Sequence, residues 1–277
     1  MVETDRNASK MRFNQPGLPK FGTTTNPSLD LMQEIREIAA LNFDFVEIGI
    51  EEPEGSPKII ANRAGKINRI IKKHRMFALG HAAWWIDLGS PHEIVRDAWL
   101  EECKKVIDAG KRINIEKITF HAHSQSMMLS DRGTLKEVIS NYIENMKKLV
   151  DYAGDSMVVM LENTTEMSSI KDFQKIISKV DGLAVNLDIG HAFIGGGMKS
   201  ISNHIKKFGK RIQHIHMHDN HGKMDEHLPV GIASIDFRRT VKELKKIKYG
   251  KTISMEIFVP ERVITRISEE IIKEFWE

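Results

Sequence analysis

Short apolar segments recur along this 277-residue chain at intervals of roughly 25 to 40 residues, and a stretch with helical periodicity follows each one. They fall at residues 20–23, 43–50, 76–83, 116–122, 157–163, 183–190, 211–219 and 252–258. In the seventh, Ile212, His214 and His216 alternate with Gln213, Ile215 and Met217, the period of two that a strand imposes. The first helical pattern, 28–41, is preceded by Asn26, Pro27 and Ser28 as capping residues. Eight β-then-α units with no low-complexity linker predict an α/β chain whose parallel strands close into a (β/α)8 barrel, each helix carrying the chain back for the next strand. The alternative is a doubly wound open sheet, but no glycine-rich dinucleotide turn follows the first strand, and Gly195 to Gly197 come after a late one. The expected organisation is one barrel domain, 18–277, behind an irregular N-terminal extension, 1–17.

The predicted strands are apolar except toward their C-terminal ends. There stand Glu47, His81, His121 with His123, Glu162, Asp188 with His191, His216 with His218, and Glu256. Charged groups are not buried without partners, so carboxylates and imidazoles arriving at one end of a barrel compensate one another or hold a cation. In a (β/α)8 barrel that end is the active face. Imidazole mixed with carboxylate, and no thiolate, suits zinc, manganese, cobalt or iron rather than magnesium or calcium. Of the 12 histidines only His74, His92 and His204 fall in stretches read as helix or as loop before a strand. The run from His214 to His227 alone holds five histidines and two aspartates. A plain reading exists for each residue. His123 and His214 serve as satisfied core or loop histidines, His218 and His221 as solvated loop residues, and Glu47 as the partner of a neighbouring base. For Glu162, Asp188, His216 and Glu256 the plain reading is a structural ion network, which would cost four strands their polar residues for no chemistry.

Composition narrows the class. A net charge of +3 is mild, and the densest basic runs, 69–75, 206–211 and 242–248, all precede strands, which puts them on the barrel face opposite the active one. No apolar run approaches the ~18 residues of a membrane helix, and the N-terminus lacks the apolar core of a signal peptide. The lone Cys103 excludes an intramolecular disulfide and reads as a small buried hydrophobe. A soluble, cytoplasmic chain is expected.

The motifs HAAWWIDLGSP (from His81), TFHAH (from Thr119), LENT (from Leu161), LDIGHAF (from Leu187), HMHD (from His216), DEHLPVG (from Asp225) and MEIF (from Met255) resemble those of the xylose isomerase-like TIM barrels. That superfamily holds sugar isomerases and epimerases, inosose dehydratases and the endonuclease IV branch of abasic-site repair enzymes. The resemblance spans nearly the whole chain and implies one of two sites. In the epimerase pattern a single manganese, cobalt or zinc ion sits on Glu162, Asp188, His216 and Glu256, and the two glutamates exchange protons with a small sugar, polyol or sugar phosphate while His191 contacts a hydroxyl. In the endonuclease pattern three zinc ions are held, with His81 and His121 at the first, Glu162 bridging to the second, and His191, Asp225 and His227 at the third; Trp84 then falls where an aromatic enters DNA. All nine ligand positions are filled by the expected residue types.

Three features favour the sugar branch. The active-face loops offer only scattered bases, Arg132, Lys223 and Arg262, where a nucleic-acid enzyme surrounds its site with cations. Ala122 and His123 stand where the endonuclease pattern has Pro-Gly, and Ile-Ala-Ser follows Gly231 where it has Glu-Gly. Glu47 within FVEIGIEEP looks like the sugar branch, and Trp84 and Trp85 suit the apolar face of a sugar as well as a base. The expected substrate contacts are therefore Glu47, Trp84, Trp85, His123 and His191. A homo-oligomer is expected from the resemblance, and a barrel that binds a sugar or metal without turning anything over is a third reading.

Overall fold

Each predicted apolar segment forms a strand in the computed structural model, which describes residues 17–124, 132–165, 167 and 169–277. Nearly all of the expected N-terminal extension, residues 1–16, lies outside them, as does most of the loop after the fourth strand. The strands are β1 (Lys20–Thr24), β2 (Phe45–Ile50), β3 (Phe77–Ala82), β4 (Lys117–His121), β5 (Val158–Glu162), β6 (Ala184–Asp188), β7 (Ile212–Met217) and β8 (Thr252–Met255). All pair in parallel with their neighbours in sequence, and β1 pairs with β8 from Lys20 opposite Thr252 to Thr23 opposite Met255, so the sheet closes on itself as a (β/α)8 barrel.

The helices are α1 (Leu31–Ala40), α2 (Pro57–Lys73), α3 (Glu93–Arg112), α4 (Arg132–Ala153), α5 (Ile170–Lys179), α6 (Ile189–Phe193), α7 (Gly197–Phe208), α8 (Phe237–Lys246) and α9 (Val263–Trp276). Their apolar stripes pack on the outward residues of the strands, among them Val46, Ile48, Ile118, Phe120, Leu161, Leu187, Ile215 and Ile253, and this ring is the main hydrophobic core. Cys103 lies in it, fully buried. None of the described helices is long and apolar enough to cross a membrane.

Two expected boundaries shift for local reasons. The first helix begins at Leu31 because Asp30, not Asn26 or Ser28, is the capping residue; its carboxylate accepts the Gln33 amide at 2.8 Å. Asn26 instead closes a turn by accepting the Ser28 amide. β6 stops at Asp188 because that side chain caps α6, accepting the His191 amide at 2.6 Å. The basic runs have a structural use: Lys72 and Lys73, Lys206 and Lys207, and Lys245 and Lys246 occupy the last turns of α2, α7 and α8, where cations complement the helix dipole.

Inside the barrel Leu79, Met160 and Phe45 share the space with polar side chains. Thr119, Asn186, His214, Ser254 and Glu47 are completely buried, with Phe45 packing edge-on to His214 below them. At the N-terminal mouth Lys117 donates to the Gln213 carbonyl at 3.0 Å and to Thr252 Oγ1 at 3.3 Å. Burial and the neighbouring Lys251 push its pKa down to about 8.

Candidate metal centre and active site

The C-terminal ends of the strands open into a cavity of about 990 Å³ lined by His81, His121, Glu162, His191, Asp225, His227 and Glu256, with Trp84, Trp85 and His123 on its wall. Asp188 and His216 form the floor beneath, both fully buried. Strand alternation accounts for the convergence: His81, His121, Glu162, Asp188 and His216 sit at or next to the last inward position of their strands, and Glu256 one residue beyond β8.

The nine ligand positions gather into three groups, two of which share a residue. An inner group joins Glu162, Asp188, His216 and Glu256; a second joins His81, His121 and Glu162; an outer group joins His191, Asp225 and His227 with His218. In each, one donor atom per residue lies within 4.8 Å of all the others. Glu162 belongs to two of them. His216 Nδ1 lies 3.0 Å from Glu256 Oε2 and 3.3 Å from Glu162 Oε2, yet it makes no hydrogen bond to either. His81 Nε2, 3.7 Å from Glu162 Oε2, is likewise buried without a hydrogen bond. Nitrogens that face carboxylate oxygens closely but off the hydrogen-bond direction fit a shared cation between them.

The supporting contacts fix the imidazoles as metal sites require. His216 Nε2 lies 3.1 Å from Glu47 Oε2, which leaves Nδ1 for the inner group. His191 Nδ1 lies 2.9 Å from the Asn163 carbonyl and His227 Nδ1 2.9 Å from the Glu256 carbonyl, and a carbonyl accepts only from N–H. The Nε2 atoms of both therefore aim at one oxygen, Asp225 Oδ2, at 2.9 and 3.0 Å. Two lone pairs directed at one carboxylate oxygen repel unless protons or a metal ion stand between them.

Electrostatics agree. Burial lowers the His81 and His227 pKa, but nearby carboxylates outweigh it, Glu162 above all for His81 and Asp225 for His227, and both end pushed up to about 9. Burial disfavours charge on Glu162, Asp225 and Glu256 too, yet His216 holds Glu162 and Glu256, and His191 and His227 hold Asp225, below the ordinary carboxylate range. His121, dominated by burial, is pushed down to about 4 and stays neutral at pH 7. The cluster carries surplus negative charge that protons now balance, and a divalent ion competes for those places.

Three placements differ from the expectations. Glu47 does not reach the cavity: it is fully buried under the inner group, accepting from His214, His216 and Ser254. Sitting mid-strand with three donors around it, it supports His216 rather than facing a substrate. His218, expected in solvent, is completely buried with Nε2 at 3.2 Å from both Asp188 oxygens, because the alternation of β7 continues past the end of the strand. Glu51, not singled out in the sequence, lines the cavity, and burial raises its pKa. His221 is exposed and pairs with Glu226, as expected of a loop residue. His123 is buried beside the Trp84 ring.

The model of the family described as xylose isomerase-like TIM barrel matches residues 35–274. The chain belongs to that family. Among its relatives, an uncharacterized protein of Methanocaldococcus jannaschii is 26% identical, covering 93% of this chain and 89% of its own. The crystal structure of a D-tagatose 3-epimerase-like protein superposes with a TM-score of 0.82 at 26% identity, over 93% of this chain and 97% of that one. A protein named "Probable endonuclease 4" from Thermotoga maritima is 23% identical over 57% of this chain and 60% of its own length.

Proposed function

We propose that this member of the xylose isomerase-like family is a divalent-metal-dependent isomerase or epimerase of a small, uncharged sugar or polyol. One observation carries the reading: two carboxylates, Glu162 and Glu256, flank the same inner group at the floor of a cavity whose rim bears no unpaired base among its described lining residues. Glu37, Glu51 and Glu52 line the mouth, and Arg262 is spent on Glu34 and the Thr24 carbonyl. An acidic mouth repels phosphates and accepts hydroxyl groups. Trp84 and Trp85 offer flat apolar surface to one face of a sugar ring.

Moving a hydrogen at the carbon beside a carbonyl needs a base on one face and an acid on the other. Glu162 removes the proton from one side, Glu256 returns one from the opposite side, and the roles exchange in the reverse direction. Glu162, Asp188, His216 and Glu256 would hold a manganese, cobalt or zinc ion, which when bound supplies the Lewis acid that stabilises negative charge on the two substrate oxygens. The test is turnover of a panel of ketoses and polyols by metal-replete protein. The reading predicts activity on unphosphorylated members and loses its support if only phosphorylated ones react.

A second reading, a zinc-dependent abasic-site endonuclease or related phosphoesterase, draws on the grouping of all nine ligands and on the Thermotoga similarity. Several metals suit phosphodiester cleavage. Incubation of an abasic-site duplex with zinc-loaded protein tests it, and the acidic mouth predicts no nicking.

A further inference from the structure

His218 belongs to neither ligand pattern described above, yet no polar residue is more enclosed. Its ring stacks on that of His227 at 4.0 Å, and Gly190 backs it so closely that a Cβ there would come within 2.0 Å of the ring. Nε2 stands between two carboxylates, 3.2 Å from both oxygens of Asp188 and 3.6 Å from Asp225 Oδ1, while Nδ1 has no hydrogen-bond partner. With its proton on Nε2 the imidazole strands a buried acceptor. With the proton on Nδ1 that N–H lacks an acceptor just as the bare nitrogen lacks a donor, and Nε2 turns a lone pair on two carboxylates, a repulsion that a cation at Nε2 removes.

We propose that His218 supplies a fourth protein donor to the outer group, so that His191, His218, Asp225 and His227 enclose a zinc ion that pins the 220–231 loop across the cavity. The inference rests on the metal-dependent reading above. Three imidazoles and a carboxylate complete a tetrahedral set, and a site with all four positions taken by protein is structural rather than catalytic. Two donors come from the frame, His191 in α6 and His218 at the end of β7; the other two come from the loop. The base of that loop is already held, since Asp219 and Leu228 exchange backbone hydrogen bonds of 2.8 and 2.9 Å. Its far part carries the exposed Met224 and the left-handed backbone of His227, at φ 47°.

The test is zinc uptake by the full chain after chelator stripping, read as ions per chain and as the rate at which a chromophoric chelator removes them, with limited proteolysis of the loop in parallel. His218→Asn removes the donor; Gly190→Ala keeps every donor but displaces the ring, and decides the matter if His218→Asn does not fold. Asp225→Asn and Glu256→Gln serve as outer and inner references. Both test variants should match Asp225→Asn, releasing one ion about tenfold faster or more and losing the zinc-dependent protection of the loop. Glu256→Gln should lose a different ion and keep the loop protected. Wild-type behaviour in both test variants, or behaviour like Glu256→Gln, overturns the inference while leaving the metal reading intact. A wild-type chain that takes up no zinc, manganese or cobalt overturns both.

Discussion

Asp219→Ala should destabilise the fold by about 3–5 kcal/mol. The carboxylate is completely buried and accepts four backbone amides: Asn220 at 2.9 Å, Gly231 at 3.1 Å, Ala233 at 2.9 Å and Ile235 at 3.0 Å. Gly231 and Ala233 are open enough to take water in exchange, so each loses only the net value of a hydrogen bond, about 0.5–1 kcal/mol. Asn220 and Ile235 are buried, and each stranded donor costs about 1–3 kcal/mol. The sum spans about 3–8 kcal/mol, and relaxation of the exposed loop keeps the outcome near the lower end. Asp219→Asn retains one acceptor oxygen and should lose about half as much. Equilibrium urea unfolding of the metal-stripped protein measures both, with an unchanged m-value confirming that the same surface unfolds. A loss below about 1 kcal/mol in Asp219→Ala would refute the reasoning, because it would mean that the loop does not depend on this carboxylate.

Further expectations follow from single residues. Trp84 is 56% exposed on the cavity wall, so Trp84→Ala should change stability by less than about 0.5 kcal/mol while raising KM for the sugar several-fold, as steady-state kinetics would record. Lys117, with its pKa pushed down to about 8, binds fewer protons folded than unfolded between pH 8 and the ordinary lysine range near 10.4. Its contribution to stability therefore rises with pH across that window. The unfolding free energy of wild type minus that of Lys117→Met should increase between pH 7 and pH 9.5; a difference that stays flat or falls would contradict the assignment.

The barrel was legible because its signal is periodic. The eight strands were all anticipated, and only their ends moved, where Asp30 and Asp188 cap helices by contacts that composition does not announce. The site was legible for a related reason. A polar residue at the inward C-terminal end of an apolar strand has one place to go, so His81, His121, Glu162, Asp188 and His216 converge as the pattern required. Asp225 and His227 were readable only through resemblance, since nothing local states that a loop folds back over the barrel mouth. Glu47 was misjudged because strand position alone does not give depth: it lies mid-strand, three residues before the end of β2, and meets His214 and His216 below the cavity. His218 had a usable signal. Continuing the alternation of Ile212, His214 and His216 by one step puts it on the inward face, although the strand's hydrogen bonding has already ended.

The proton transfer assigned to Glu162 and Glu256 is tested most directly by following deuterium from heavy water into the substrate by NMR. Wild-type protein loaded with manganese, cobalt or zinc should wash one deuterium into the carbon beside the carbonyl, and Glu162→Gln and Glu256→Gln should each abolish that signal while remaining folded. Exchange at the wild-type rate in either variant, or turnover by the wild type with no deuterium gained, would contradict a mechanism in which these two carboxylates carry the proton.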